Sequence, residues 1–243
     1  MEKELFLEKT VEEIKRELSS PDQRIIALCR ITEKLPKNIN ELFEALRVVT
    51  DTVYPTLEKE VGIEDYCRIC LAWQETDNEK ALQIINSGVS IKLEKREKEF
   101  VKVFAESILG LITLNKDIEK EAYHLAEKSY PNFCFVAGTN IACKMLVISG
   151  SMSRLSQMPS STIQLLGAEK SLFKSIRTGS KKTPRYGLLF NHSLLINKDK
   201  KEKGRLSRFL AGKIAIAIKA DLSGIDMRDE LKRKIEKKIR EGL

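Results

Sequence analysis

The sequence predicts an all-α protein, in which an antiparallel helical coiled-coil region over residues 1–130 precedes a second helical domain over residues 131–243. Apolar residues make up 42% of the 243 residues and charged residues 32%, a balance typical of helix-rich globular chains. Only 12 Gly and 6 Pro are present, which disfavours a turn-dense β architecture. Apolar residues recur in steps of three and four, the period of an amphipathic helix.

Two helices are predicted near the N-terminus. The first has four apolar residues spaced for one face: Leu5, Val11, Ile14 and Leu18. The second is predicted from about Asp22 to Leu35. We expect it to stop at Pro36, because proline lacks the backbone N–H and clashes with the preceding turn.

Two long apolar stripes follow, each narrow enough for a coiled-coil contact. The first consists of Ile39, Leu42, Leu46, Val49 and Val53. The second runs from Leu93 through Phe100, Phe104, Ile108, Leu111, Leu114, Ile118 and Ala122 to Leu125. Two such helices can cover each other as an antiparallel hairpin, and an excess apolar edge predicts a homodimer. A self-contained bundle is the alternative, and the spacing leaves it open.

The second domain is predicted to begin where Tyr130-Pro131-Asn132 ends the long helix. A buried helix is expected around Ala142 to Ile148, and from Ser160 onward helices alternate with basic loops. A charged helix with a thin apolar stripe is expected from Met227 to Arg240.

Charge distinguishes the two ends of the chain. The net charge is +8, from 43 Lys and Arg against 35 Asp and Glu, and the basic excess lies in the segment from Lys170 onward. Such a concentration is typical of proteins that bind a polyanion, usually nucleic acid. A solvated, lysine-rich surface is the alternative, and charge alone does not separate the two.

Five cysteines are present: Cys29, Cys67, Cys70, Cys134 and Cys143. Only one CxxC pair occurs, without a second pair or a histidine cluster, so we expect buried thiols and not a zinc site. Met1 is not followed by a signal-peptide pattern, and the apolar runs are shorter than the about 20 residues of a membrane span. We therefore expect a cytoplasmic protein with no membrane partner.

Catalytic patterns are sparse. The two histidines, His124 and His192, lie in different segments, and no Ser-His-Asp order, P-loop or GxGxxG motif occurs. We therefore predict a protein that is not an enzyme and that uses no cofactor or metal.

Two basic helix starts are candidates for phosphate binding. Gly167-Ala168-Glu169-Lys170 forms a small turn that feeds a helix, whose first amides and lysine attract phosphate. Arg205 and Arg208 fall on one side of a later helix, and arginine can bind two phosphate oxygens at once. On spacing alone, an ordinary amphipathic surface helix is the alternative.

Three blocks in this region together resemble the Nop domain of box C/D-type ribonucleoprotein core proteins. They read PSSTIQLLGAEKSLF from Pro159, PRYGLLFNH from Pro184 and KGRLSRFLA from Lys203, in the family's order and with fitting gaps. The weaker resemblance upstream includes Tyr54-Pro55 and Pro131-Asn132, at positions similar to the coiled coil of archaeal members.

The resemblance implies a scaffold that grips a box C/D-type kink-turn guide RNA together with a kink-turn-binding core protein. Fibrillarin would perform the guided 2′-O-methylation with S-adenosylmethionine. Carried over by position, the RNA contacts are expected from Gly167, Ala168, Glu169, Lys170, Asn191, His192, Lys203, Arg205 and Arg208.

One departure from the family pattern bears on the partners. The coiled-coil pattern begins within about forty residues of Met1, so the usual N-terminal fibrillarin-binding domain is expected to be missing. We therefore expect weak or no direct binding of fibrillarin. The alternatives are a protein–protein assembly module, or a truncated Nop paralogue acting in another ribonucleoprotein.

Overall fold

A computed structural model of the chain describes residues 20–51, 61–72, 94–179, 184 and 186–240, together with Leu7, Thr10, Val11 and Ile14. Over these residues the backbone forms α-helices and two 3-10 turns, without a strand, which confirms the predicted all-α class. The helices are α1 (Pro21–Thr50), α2 (Ile63–Ala72), α3 (Lys95–Ser129), α4 (Pro131–Ala137), α5 (Thr139–Ser149), α6 (Met152–Gln157), α7 (Ser160–Leu165), α8 (Glu169–Arg177), α9 (Lys200–Leu222) and α10 (Arg228–Arg240). The two 3-10 turns are Leu188–Asn191 and Ser193–Leu195.

Helix α1 is longer than the sequence pattern predicts. It continues through Pro36 to Thr50, so the prediction that a helix ends at Leu35 is wrong. Proline in a helix interior costs about 3 kcal/mol. Pro36 is exposed, and the burial of Ile39 and Leu46 one and three turns further on offsets that cost.

By contacts the chain divides into two compact units: a first unit of Met1–Arg30 with Lys120–Leu243, and a second unit of Ile31–Glu119. The predicted division at residue 130, into segments 1–130 and 131–243, stays a prediction.

The second unit has its own core, built from three helices. The fully or nearly buried residues are Ile39, Phe43 and Leu46 of α1, Tyr66, Cys67, Ile69 and Cys70 of α2, and Val101, Ala105 and Ile108 of α3. Of the stripe predicted on α3, Ile108 is buried and Phe104 and Leu111 pack against this core, whereas Phe100 and Leu114 are exposed. The predicted coiled coil and homodimer stay predictions, and Leu5, Leu18, Val53 and Leu93 lie outside the described residues.

The first unit is organised around α9. This helix packs against α4, α6 and α7 and against both 3-10 turns. Its apolar side, Leu206, Leu210 and Ile214, is buried as the spacing predicts. The predicted buried helix is also confirmed, as α5, and α3 ends at Ser129 as expected.

All five cysteines are buried and form no disulfide, which confirms the buried thiols predicted for Cys67 and Cys70. Burial raises the pKa of the Cys67 thiol to about 11 and that of Cys70 to about 12, so neither is a reactive thiolate. Among the described residues, no single helix is long and apolar enough to cross a membrane, although α4 and α5 pass that test as a pair bent by 110°.

Candidate nucleic-acid interface

The three sequence blocks that resemble the Nop domain lie next to one another in the first unit. The first block forms α7 and the start of α8, the second contains the 3-10 turn Leu188–Asn191, and the third lies in α9. Contacts join α9 to α7, α9 to the turn, and α7 to the turn. The predicted site residues therefore come from elements that pack together.

Two backbone hydrogen bonds tie the second block to the first. The N–H of Gly187 donates to the carbonyl oxygen of Gln164 at 2.9 Å, and the N–H of Leu188 donates to that of Leu166 at 2.8 Å. Gly167 turns the chain between α7 and α8 with a φ of +88°, in the left-handed region that favours glycine. Gly167 and Gly187 therefore set the backbone conformation of the segments that carry the charged side chains.

A basic cleft of about 570 Å³ lies between α7 and α9. Its lining residues are Ser161, Gln164, Leu165, Pro184, Lys201, Gly204, Arg205 and Arg208. None of these described lining residues is a carboxylate, and three of them are basic. The predicted Arg205 and Arg208 are thus brought into one cleft, together with Lys201, which the sequence reasoning missed.

The basic side of α9 is set by the register of that helix. Asp199 caps its first turn by accepting hydrogen bonds from the N–H groups of Lys201 and Glu202, both at 2.8 Å. These bonds hold the pKa of the Asp199 carboxyl below its usual value. Because Leu206 and Leu210 are buried, Arg205 and Arg208 are directed outward, and both are exposed.

Helix α8 presents Lys170 at its start and two apolar side chains further along to solvent. Lys170 is exposed, whereas Glu169 accepts a hydrogen bond from the N–H of Gly167 at 2.7 Å and thus stabilises the turn. Phe173 and Ile176 are 67% and 66% exposed. The sequence reasoning missed these two residues as a surface, although their spacing of three along a charged helix could have indicated it.

His192 has a different environment from the other predicted residues. It is 7% exposed and lines a second pocket of about 370 Å³ with Asn191, which is exposed. Its Nε2 lies 3.0 Å from the carbonyl oxygen of Val136, and its Nδ1 accepts the N–H of Leu194 at 3.2 Å. Burial lowers the pKa of His192, and these partners fit the neutral ring with its proton on Nε2.

Two aromatic rings and a lysine form a stack beside the cleft. The ring centroids of Tyr186 and Phe190 lie 5.3 Å apart with 15° between the planes. The Nζ of Lys203 lies 4.8 Å from the centroid of the Phe190 ring. Lys203 is therefore placed on an aromatic face, and the two rings are further surface residues that the sequence reasoning missed.

The interface presents groups that are suited to binding. Its exposed groups are cations, amides and aromatic rings, which bind phosphates and bases. No cluster of His, Cys, Asp and Glu suited to a metal ion occurs within the described part of the chain.

Comparison with known proteins agrees with these observations. The profile of the Nop family, described as "snoRNA binding domain, fibrillarin", matches residues 31–241. A NOP5 family protein of Methanocaldococcus jannaschii is 29% identical over 96% of this chain and 60% of its own length. Nucleolar protein 56 of Schizosaccharomyces pombe is 30% identical over 86% of this chain and 46% of its own length.

A solved structure is similar along nearly the whole chain. It is the crystal structure of a fibrillarin/Nop5p complex, with a TM-score of 0.60 and 26% identity over 98% of this chain and 76% of that one. The chain spans about half the length of the curated relatives that it matches. Since the family profile covers most of the sequence, the chain belongs to the Nop family.

Proposed function

We propose that this chain is a non-catalytic RNA-binding scaffold of a box C/D-type ribonucleoprotein that guides RNA 2′-O-methylation. It would recognise a kink-turn guide RNA together with a kink-turn-binding protein. The observation that carries the proposal is the alignment of Lys201, Arg205 and Arg208 along one wall of the cleft between α7 and α9.

The spacing of these cations suits an RNA backbone. Along a helix that rises about 1.5 Å per residue, Lys201, Arg205 and Arg208 span about 10 Å. Phosphates follow one another every few ångströms along a strand, so the three cations can neutralise consecutive ones. Arginine adds geometric fit, because its planar donor fork can hold two oxygens of one phosphate.

The surface of α8 supports recognition of a composite of RNA and protein. Lys170 offers a charge to phosphate, and the exposed Phe173 and Ile176 offer apolar area that a folded protein can cover. We expect weak binding to isolated RNA and much tighter binding once the kink-turn protein is present. A gel-shift titration that gives equal affinity with and without that protein would contradict composite recognition.

The direct test of the cleft is the salt dependence of RNA binding. Replacing Arg205 or Arg208 with Ala should weaken binding to every RNA tested and flatten the log–log salt slope by about 0.7 to 0.9 for each phosphate that the variant no longer neutralises. The matched control is Arg96→Ala, which removes the same charge from an exposed position on α3. Parent-like affinity and slope in both cleft variants, with helix content intact, would instead favour a protein–protein assembly module.

The remaining partners belong to the same proposal. The similar solved structure is a complex with fibrillarin, which supports fibrillarin as a member of the assembly. The expectation of weak or no direct binding stays a prediction, and co-elution of fibrillarin with this chain on gel filtration tests it.

Pull-down from native cells followed by sequencing of the bound RNA would identify the guide, and cell fractionation would test the expected cytoplasmic location.

A further inference from the structure

We propose that the stacked pair of Tyr186 and Phe190, together with Lys203, is a binding site for an unpaired RNA base at the edge of the basic cleft. This inference rests on the proposed function and adds a substrate class to it. The RNA at the cleft is then single-stranded or bulged at this point, with a base turned out of its own stack.

The geometry of the pair is that of an aromatic platform. The two rings are nearly parallel, with 15° between their planes, and Phe190 is 46% exposed. Neither ring belongs to the hydrophobic cores that the described residues form. Core packing therefore does not account for two adjacent aromatic rings at this surface.

The pair is held beside the phosphate-binding residues by its neighbours in the chain. Pro184, two residues before Tyr186, lines the cleft, and so does Gly204, the residue after Lys203. Gly187 lies between Tyr186 and Phe190 in the sequence, and its N–H donates to the carbonyl oxygen of Gln164, which also lines the cleft. The stack therefore adjoins the cleft along the chain, and a base that it binds can belong to a nucleotide that follows those at Arg205 and Arg208.

The combination favours a base over an apolar peptide. Aromatic rings stack on any base, and a lysine over a ring places a positive charge where the sugar–phosphate backbone passes. Inside a duplex the faces of the bases are covered by their neighbours, so the platform favours an unpaired base.

The test uses the full chain with the kink-turn protein and a kink-turn RNA that carries 2-aminopurine at successive unpaired positions. In the parent complex we expect one position to show fluorescence quenching on binding, because the probe stacks on the rings. Tyr186→Leu and Phe190→Leu should each remove that quenching and weaken binding by about fivefold or more, with the salt slope unchanged. Tyr186→Phe keeps the ring and should keep both signals.

The control is Phe135→Leu, which alters another exposed aromatic side chain, on α4, and should change neither signal. Parent-like quenching and affinity in both leucine variants overturn the inference. If that result accompanies weakened binding by Arg205→Ala, the proposed function survives and only the base site is refuted. Leucine variants that fail to bind the kink-turn protein yet keep the quenching also overturn it, since the rings would then contact protein.

Discussion

Asp221 near the end of α9 caps the N-terminus of α4 by binding Asn132, which lies 89 residues earlier in the chain. Its Oδ1 accepts the backbone N–H of Asn132 at 3.0 Å and the side-chain Nδ2 at 2.7 Å, and its Oδ2 accepts the N–H of Phe133 at 2.8 Å. Asn132 in turn accepts the N–H of Met227 at 2.7 Å. The network joins α4 to α9, which forms one wall of the basic cleft, and to the residue that precedes α10.

We expect Asp221→Ala to lower the free energy of unfolding by about 2–4 kcal/mol, because it leaves the N–H groups of Asn132 and Phe133 without their acceptor. Asp221→Asn keeps one acceptor oxygen and should be less destabilising. Urea denaturation followed by circular dichroism measures both. Glu121→Ala removes a carboxylate from an exposed helix position and should have little effect; a destabilisation by Asp221→Ala no larger than this control would contradict the capping role.

Replacing Gly187 by Ala should strongly disturb the interface. A Cβ at this position would lie 1.9 Å from the carbonyl oxygen of Leu166, so the backbone of the second block has to move. We expect a destabilisation of more than about 3 kcal/mol, or abolished RNA binding where the fold survives. Thermal unfolding and RNA titration of the same sample separate the two effects.

Gly212→Ala is the matched control for that substitution. A Cβ at Gly212 meets no atom within 4 Å, and the residue lies inside α9. Alanine there should stabilise the protein by about 0.5–1 kcal/mol, because glycine is the poorer helix former. Equal effects of the two substitutions would show that the close approach at Gly187 does not constrain the fold.

His192 should make stability depend on pH. Its folded-state pKa is lowered by burial, so the unfolded chain takes up a proton first as the pH falls. The contribution of His192 to the free energy of unfolding is complete above about pH 6.5, the ordinary pKa of histidine. It declines as the pH falls from there to the lowered pKa of the folded state. Unfolding free energies between pH 8 and pH 5 should show this decline, and His192→Gln should flatten it. A variant profile that declines as steeply as that of the parent would contradict this role of His192.

Self-association should depend on an exposed stripe of α3. Phe100, Val103 and Leu114 fall on one helix face and are exposed, whereas Ile108 is fully buried in the core of the second unit. A charge at Ile108 would therefore unfold that core. Val103→Asp should instead shift the parent from dimer to monomer in sedimentation velocity, with helix content unchanged. Thr113→Asp, exposed but off the stripe, should stay dimeric, and a monomeric parent at micromolar concentration would refute the expectation.

The helical class, the buried side of α9 and the blocks that carry the site can all be predicted from the sequence alone. Period and composition suffice for these features, because Leu206, Leu210 and Ile214 share a helix face whatever packs against them. The same spacing places Arg205 and Arg208 on the outer side, where the structure has them.

The tertiary contacts of these side chains depend instead on which segments, distant in the sequence, pack against one another. The hydrogen bond between His192 and Val136, the capping of Asn132 by Asp221 and the placing of Lys203 over the ring of Phe190 are all of this kind. So is the continuation of α1 through Pro36, since the core around Ile39 outweighs a local preference. The physical reason is that helical periodicity reports only neighbours within a few residues, whereas burial and hydrogen-bond partners are set by tertiary contacts between residues far apart in the chain.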